Sequence, residues 1–180
     1  MIARPMRDQV RTALFNILGK GLLEGANVAD LFAGSGSLGL EAISRGASRA
    51  VFVETAAPCL RTIEKNLERL GFEERAVVRR YDLARGVLGL LQAGLAPFDL
   101  VLMDPPFPLL RRPPAPGEAD VRAILREMGT LEGFLSPHAR IALETPAESF
   151  RIEGELPGMG LSLVLRREYG STALLVLGKT

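Results

Sequence analysis

The chain has 180 residues, 47% of them hydrophobic, with a net charge of +1 and a pI near 7.9. That suffices for one sizeable core but not two, so residues 1–180 are expected to form a single domain and a monomer. One cysteine, Cys59, and one histidine, His138, exclude an internal disulfide and argue against a Cys/His metal cluster; no apolar run nears the roughly 20 residues that span a bilayer, and no secretory h-region opens the chain, so the expected location is cytoplasmic.

Val10, Leu14, Ile17 and Leu18 recur at helical spacing and predict an N-terminal helical segment within residues 1–21, ended by Gly19 and Gly21. A strand over Val28–Phe32 leads through a Gly-rich turn into a helix that continues through Leu40–Arg45. Strand Ala50–Glu54, a helix around Leu60–Leu70 stopped by Gly71, strand Ala76–Tyr81 and a helix from Ala84 to Gln92 come next. Strand Phe98–Met103 ends at Asp104. Six prolines between Pro105 and Gly117 rule out helix and ladder pairing for most of that stretch and predict a surface loop in the position of a lid. A helix over Val121–Met128, a strand Ala139–Glu144 and the pair Leu161–Glu168 and Ala173–Leu177 close the chain, with Gly170-Ser171 as a hairpin turn. Alternating strands and helices predict an α/β fold: a Rossmann-like, mostly parallel seven-stranded sheet with a C-terminal antiparallel hairpin and helices on both faces.

Asp30-Leu-Phe32-Ala33-Gly34-Ser35-Gly36 is a strand running into a glycine turn that opens a helix. Glycines let the backbone approach a ligand, and the helix start offers free N–H groups. Glu54 ends the second strand, where a carboxylate can accept from both hydroxyls of a ribose. Gly34 to Gly39 also reads as G-x-G-x-x-G, which makes an NAD-dependent oxidoreductase the rival. Three features oppose it: the acid at Asp30 just before the turn, too little chain for a second nucleotide half, and the terminal hairpin. An acid there suits a cofactor with a sulfonium and an ammonium group, S-adenosylmethionine. A ligand-free turn with Asp30 as a capping or solvent-facing acid is the plain alternative. Asp82 ends the third strand and could accept from an adenine amine or cap the helix near Ala84.

Asp104-Pro105-Pro106-Phe107 follows the fourth strand at the same edge. An amine conjugated with a purine or amide is a poor nucleophile. If the Asp104 carboxylate and the Pro105 carbonyl accept its N–H bonds, its lone pair can turn toward a methyl donor. Successive prolines stiffen these acceptors, and Phe107 offers a flat face for an extruded base. The bland reading is a loop start with Phe107 in the core.

These residues, with Arg4-Pro5, Asp8, Val10-Arg11, Leu14-Phe15-Asn16, Leu38 to Ala42, Asn66-Leu67 and Tyr169-Gly170, resemble the RsmD-type methyltransferases, which modify the exocyclic N2 of a guanine in bacterial 16S ribosomal RNA. The resemblance implies S-adenosylmethionine held by Asp30, Gly34, Gly36 and Glu54, the guanine held by Asp104 to Phe107, no metal, and 16S rRNA or a small-subunit particle as partner. The family's usual upstream Gly-rich basic hairpin is not found before Met1. The expectation is therefore that Arg4, Arg7, Arg11, Arg111 and Arg112 take over substrate binding or that the start is truncated, and that an assembled particle is a better substrate than free RNA. The insert 108–117 is a second departure. The weak net charge neither supports nor excludes RNA. Two further readings stay open: an amino-methyltransferase acting on DNA or protein glutamine, and a cofactor-binding ribosome assembly factor without turnover.

Overall fold

In chain order the computed structural model contains α1 (Asp8–Leu23), β1 (Asn27–Leu31), α2 (Ser37–Ser44), β2 (Arg49–Glu54), α3 (Ala57–Leu70), β3 (Ala76–Arg80), α4 (Leu88–Gln92), β4 (Phe98–Met103), α5 (Val121–Thr130), β5 (Leu135–Pro146), β6 (Leu161–Tyr169) and β7 (Thr172–Lys179). It describes residues 8–110 and 114–180. Arg4, Arg7, Arg111 and Arg112, expected to meet substrate, lie outside the described residues.

The strands form one sheet in the order β3-β2-β1-β4-β5-β7-β6. Only β7 runs against its neighbours, β5 and β6. Buried on both faces, the central strands read as continuous apolar runs. Alternation sends Ala29, Leu31, Val101 and Met103 into one core with Leu90 of α4 and Leu125 of α5. Val28, Phe52, Leu100 and Leu102 enter the other core with Phe15 of α1, Ile43 of α2 and Ile63 of α3. The expected mostly parallel seven-stranded sheet, with helices on both faces and an antiparallel C-terminal hairpin, is present. Among the described residues no helix is long and apolar enough to cross a membrane.

A polar network joins the central strands where they begin. The Asn27 N–H donates to Asp99 Oδ2 at 2.9 Å, and its side-chain amide donates to the carbonyls of Leu95 and Pro97 at 2.9 and 2.7 Å. Arg49 Nε donates to Asn27 Oδ1 at 3.0 Å. Asn27 thus ties the start of β1 to β2 and to the segment entering β4 through its side chain, and to β4 itself through its backbone N–H.

Three expectations change. The opening helix does not end at Gly19; it kinks there, at φ 74°, and continues to Leu23. The expected helix Ala84–Gln92 is divided into a 3-10 turn, Leu83–Arg85, and α4, because Gly86 adopts φ 76° between them. A Cβ on Gly86 would meet the Glu127 carboxylate, which accepts the N–H groups of Val87 and Leu88 at 2.9 and 3.0 Å and so caps α4 from α5. Finally, β5 begins four residues early, at Leu135. A register shift between Phe98 and Leu100 accommodates Pro137 in the pairing of β4 with β5.

Candidate functional site

Between β1 and β4 the sheet order reverses, and α/β sheets bind ligands at such a point, outside the C-terminal strand ends. A cleft of about 770 Å³ opens there, within the usual size of a small-molecule site. Its wall includes Asp30, Glu54, Asp82 and Asp104. In spatial order along the sheet the acids run Asp82, Glu54, Asp30, Asp104, one for each of four adjacent strands.

Asp30 is 1% exposed, and its Oδ2 accepts the Gly39 N–H at 2.9 Å. Burial pushes its carboxyl well above the usual range, the Gly39 hydrogen bond opposes this, and the charges of Asp104 and Glu54 add to the rise. The crevice is thus an unfavourable place for one more negative charge and a favourable one for a cation. Glu54 accepts from the N–H groups of Gly34, Thr55 and Ala56 at 2.9, 2.7 and 2.9 Å, tying the glycine loop to β2. A carboxylate has about four acceptor positions; beyond the three backbone bonds only the Thr55 hydroxyl approaches, at a long 3.4 Å, a contact that a ligand hydroxyl would have to displace or share. Asp82 Oδ1 accepts the Ala84 N–H at 2.9 Å, so the capping role considered for it is real and coexists with its place in the wall.

The glycines divide their work. A Cβ on Gly34 (φ 54°) would meet nothing within 4 Å, so that backbone faces open space in the wall. A Cβ on Gly36 would approach Ile63 and Phe52 at 3.1 and 3.2 Å, and one on Gly39 would strike the Phe52 ring. Those two glycines let α2 and its entry turn settle on the sheet, and neither lines the cleft. Phe32, Ala33 and Ser35 do line it. Phe32 holds φ 64°, the one positive φ of a non-glycine among the described residues, a conformation costly for a bulky side chain. Asn66 of α3 donates to the Ser35 carbonyl at 3.2 Å and braces the loop.

Pro106 lines the cleft, Pro105 is buried beside it, and Phe107 opens the 3-10 turn Phe107–Leu110 with 43% of its surface exposed. Phe107 is therefore a surface residue and not part of the core, and, unlike Pro106, it is not in the cleft wall. Leu109 and Gly117 to Ala119, at the two described ends of the Pro-rich stretch, border the same cleft. Arg11, in contrast, does not reach the cleft wall; it pairs with Asp8 at 3.0 Å on α1. Sequence reasoning missed Cys59 and Thr62 of α3, Tyr81 after β3, and Glu118. The usable signal was position, since Cys59 and Thr62 stand on the first turns after β2 and Tyr81 directly follows β3. Among the described residues no group of three or more His, Cys, Asp or Glu could hold a metal ion.

An S-adenosyl group fits this donor set: an open glycine backbone, a ribose-height carboxylate and a dry acid in need of a cation. Comparison with known proteins agrees at the level of family and fold. The chain is 33% identical over 168 residues to the ribosomal RNA small subunit methyltransferase D of Escherichia coli K12, covering 92% of this chain and 73% of that protein. It is 36% identical over 104 residues to YlbH of Bacillus subtilis, where it spans about half the relative, 55%, and 58% of itself is matched. The solved structure of yhhF from Escherichia coli, a methyltransferase by designation, superimposes with a TM-score of 0.72 at 29% identity, covering 98% of this chain and 87% of that one. The family model described as conserved hypothetical protein 95 matches residues 1–177, and the chain belongs to that family, to which the small-subunit methyltransferase D proteins are its curated relatives.

Proposed function

We propose that the chain is an S-adenosylmethionine-dependent methyltransferase acting on the exocyclic N2 amine of a guanine in 16S ribosomal RNA, with the rRNA or a small-subunit particle as partner. The observation that carries this reading is the spatial order Asp82, Glu54, Asp30, Asp104 along one cleft. It matches adenine, ribose, methionine head group and acceptor amine taken in turn.

Asp82 is placed to accept from the adenine amine, Glu54 from the ribose hydroxyls, and Asp30 to face the cationic end of the cofactor. Bound there, the cofactor supplies an electrophilic methyl group. The chain's own task is to shape the acceptor. Asp104 and the Pro105 carbonyl accept the two amine N–H bonds, which turns the lone pair toward the cleft and stabilises the positive charge that develops on nitrogen. Pro105 and Pro106 hold these acceptors rigidly, because their φ angles are fixed. Phe107, exposed one residue after the cleft-lining Pro106, gives the extruded base a stacking face worth about 1–3 kcal/mol.

Replacing Asp104 by Ala tests the assignment. S-adenosylmethionine binding, followed by calorimetry, should survive, while methyl transfer to small subunits lacking the modification should fall by about a hundredfold or more. Nucleoside digestion of the wild-type product should yield N2-methylguanosine. Label in another nucleoside, or in protein glutamine, would reassign the acceptor. Cofactor binding without any turnover would favour an assembly factor.

A further inference from the structure

The two edges of the sheet carry their arginines differently. At β6, Arg166 meets Glu153 and Glu168 at 3.2 and 3.1 Å, and Arg151 meets Glu168 at 3.7 Å. At β3, the opposite edge, Arg79 and Arg80 end the strand and Arg85 closes the 3-10 turn that follows. All three are exposed, and among the described residues none of their side chains forms an ion pair or a hydrogen bond.

Register fixes where these arginines stand. Val53 pairs with Arg79 and Glu54 with Arg80, so they lie at the C-terminal strand ends, next to the cleft-lining Tyr81 and Asp82. Because side chains alternate, Arg79 shares the face of Val77 and Arg80 that of Val78, and the two straddle an edge that no further strand covers. The neighbouring acids are engaged or distant: Asp82 accepts from Ala84, Glu127 accepts from Val87 and Leu88, and Glu73 and Glu74 lie at the other end of β3. Charge on an edge strand discourages pairing with another chain. Arg85, however, lies beyond the strand, and uncompensated cations gather at the cleft end of a chain whose net charge is only +1.

We propose that Arg79, Arg80 and Arg85 form a phosphate-binding border that grips the RNA backbone a few nucleotides from the target base. The inference rests on the RNA-methylation reading given above. From β3 to β4 is three strand spacings, about 14 Å, a span that a few nucleotides bridge from a base held at Asp104. Guanidinium groups present planar forks of donors that match phosphate oxygens. The described wall of the cleft includes no Lys, Arg or His, so the phosphates meet cations at this border and not inside. Such contacts fix the register of the RNA and carry no sequence information.

Salt-dependent binding to small subunits lacking the modification, and to protein-free 16S rRNA, tests the proposal. Each contact to single-stranded RNA contributes about 0.7 to the slope of log affinity against log salt. Each single Ala variant should lower the slope by about that amount, and Arg79→Ala/Arg80→Ala/Arg85→Ala by about 2, with an affinity loss of about tenfold or more at physiological salt. Lys at all three positions should keep most of the slope, and S-adenosylmethionine affinity, read by calorimetry, should be unchanged throughout. Arg69→Ala, in the last turn of α3 at the far end of the sheet, removes an exposed charge and should leave the slope as it is. A triple variant with wild-type affinity and slope, or an Arg69→Ala loss equal to that of the single variants, would overturn the proposal. So would a loss on particles but not on protein-free rRNA, which would assign the arginines to an acidic protein surface. Failure of the underlying reading is separately visible, as absence of methyl label from RNA in the wild-type reaction.

Discussion

Asp30 accepts the Gly39 N–H at 2.9 Å, so one buried carboxylate both faces the cleft and caps the first turn of α2. Its charged form is stabilised by that hydrogen bond and penalised more strongly by burial and by Asp104 and Glu54.

Because the folded-state pKa of Asp30 lies above its unfolded value, the group's ionisation costs stability as pH rises from the model-peptide value of 3.8 through the raised pKa. Asp30→Asn keeps an acceptor for Gly39 and removes the charge. It should melt higher than the wild type at neutral pH, by about 2–4 °C for each kcal/mol relieved, with the gap closing in acid. It should also bind S-adenosylmethionine more weakly. Melting curves across pH, with and without cofactor, check both halves; a variant that is less stable at pH 7 would contradict the electrostatic account.

Gly39→Ala should destabilise the fold by about 1–3 kcal/mol, since the added methyl enters the Phe52 ring. The loss should shrink when Phe52 is shortened to Leu, and denaturant unfolding of the four proteins of this cycle gives the coupling directly. Additive costs would mean that Gly39 is needed for another reason.

Cys59 lines the cleft, and burial followed by the Glu54 charge raises its thiol pKa. The thiolate is the reactive form, so alkylation by a maleimide should be slow at neutral pH and quicken in alkali. Saturating S-adenosylhomocysteine should slow it further by covering the thiol. Mass spectrometry of the single labelled site reports both effects, and indifference to the nucleoside would place the ligand elsewhere.

Removing the Glu127 carboxylate leaves the first two N–H groups at the start of α4 without their partner. Glu127→Ala should cost about 1.5–3 kcal/mol, the range for hydrogen bonds to a charged group, and Glu127→Gln less. Hydrogen exchange at Val87 and Leu88 should quicken in the Ala variant; unchanged protection there would show that the cap is unimportant.

The layered order of strands and helices was readable because each apolar run is closed by a glycine turn or an acid, and Asp30, Glu54, Asp82 and Asp104 stand at or just beyond four such strand ends. Contacts between distant segments were not readable. Gly86 breaks the expected helix with the help of the Glu127 carboxylate on α5, 40 residues from the Val87 N–H that it accepts. Gly34, Gly36 and Gly39 look alike as letters, yet Phe52 and Ile63 beneath two of them decide which one faces the open cleft. Cys59, Thr62 and Tyr81 enter the wall through the packing of α3 and β3, which local periodicity does not encode. The early start of β5 was hidden by Pro137, a residue that suggests a turn and is accommodated by the shifted register.

Asn27 joins β1 to Arg49 on β2 and to Asp99 on β4 at the end of the sheet away from the cleft. Loops can therefore be lengthened or exchanged over the opposite edge without altering the spacing of Asp30 from Asp104. A scaffold fastened at its base in this way leaves its rim open to evolutionary experiment, and new acceptors can be tried there while the central pair of acids keeps its alignment.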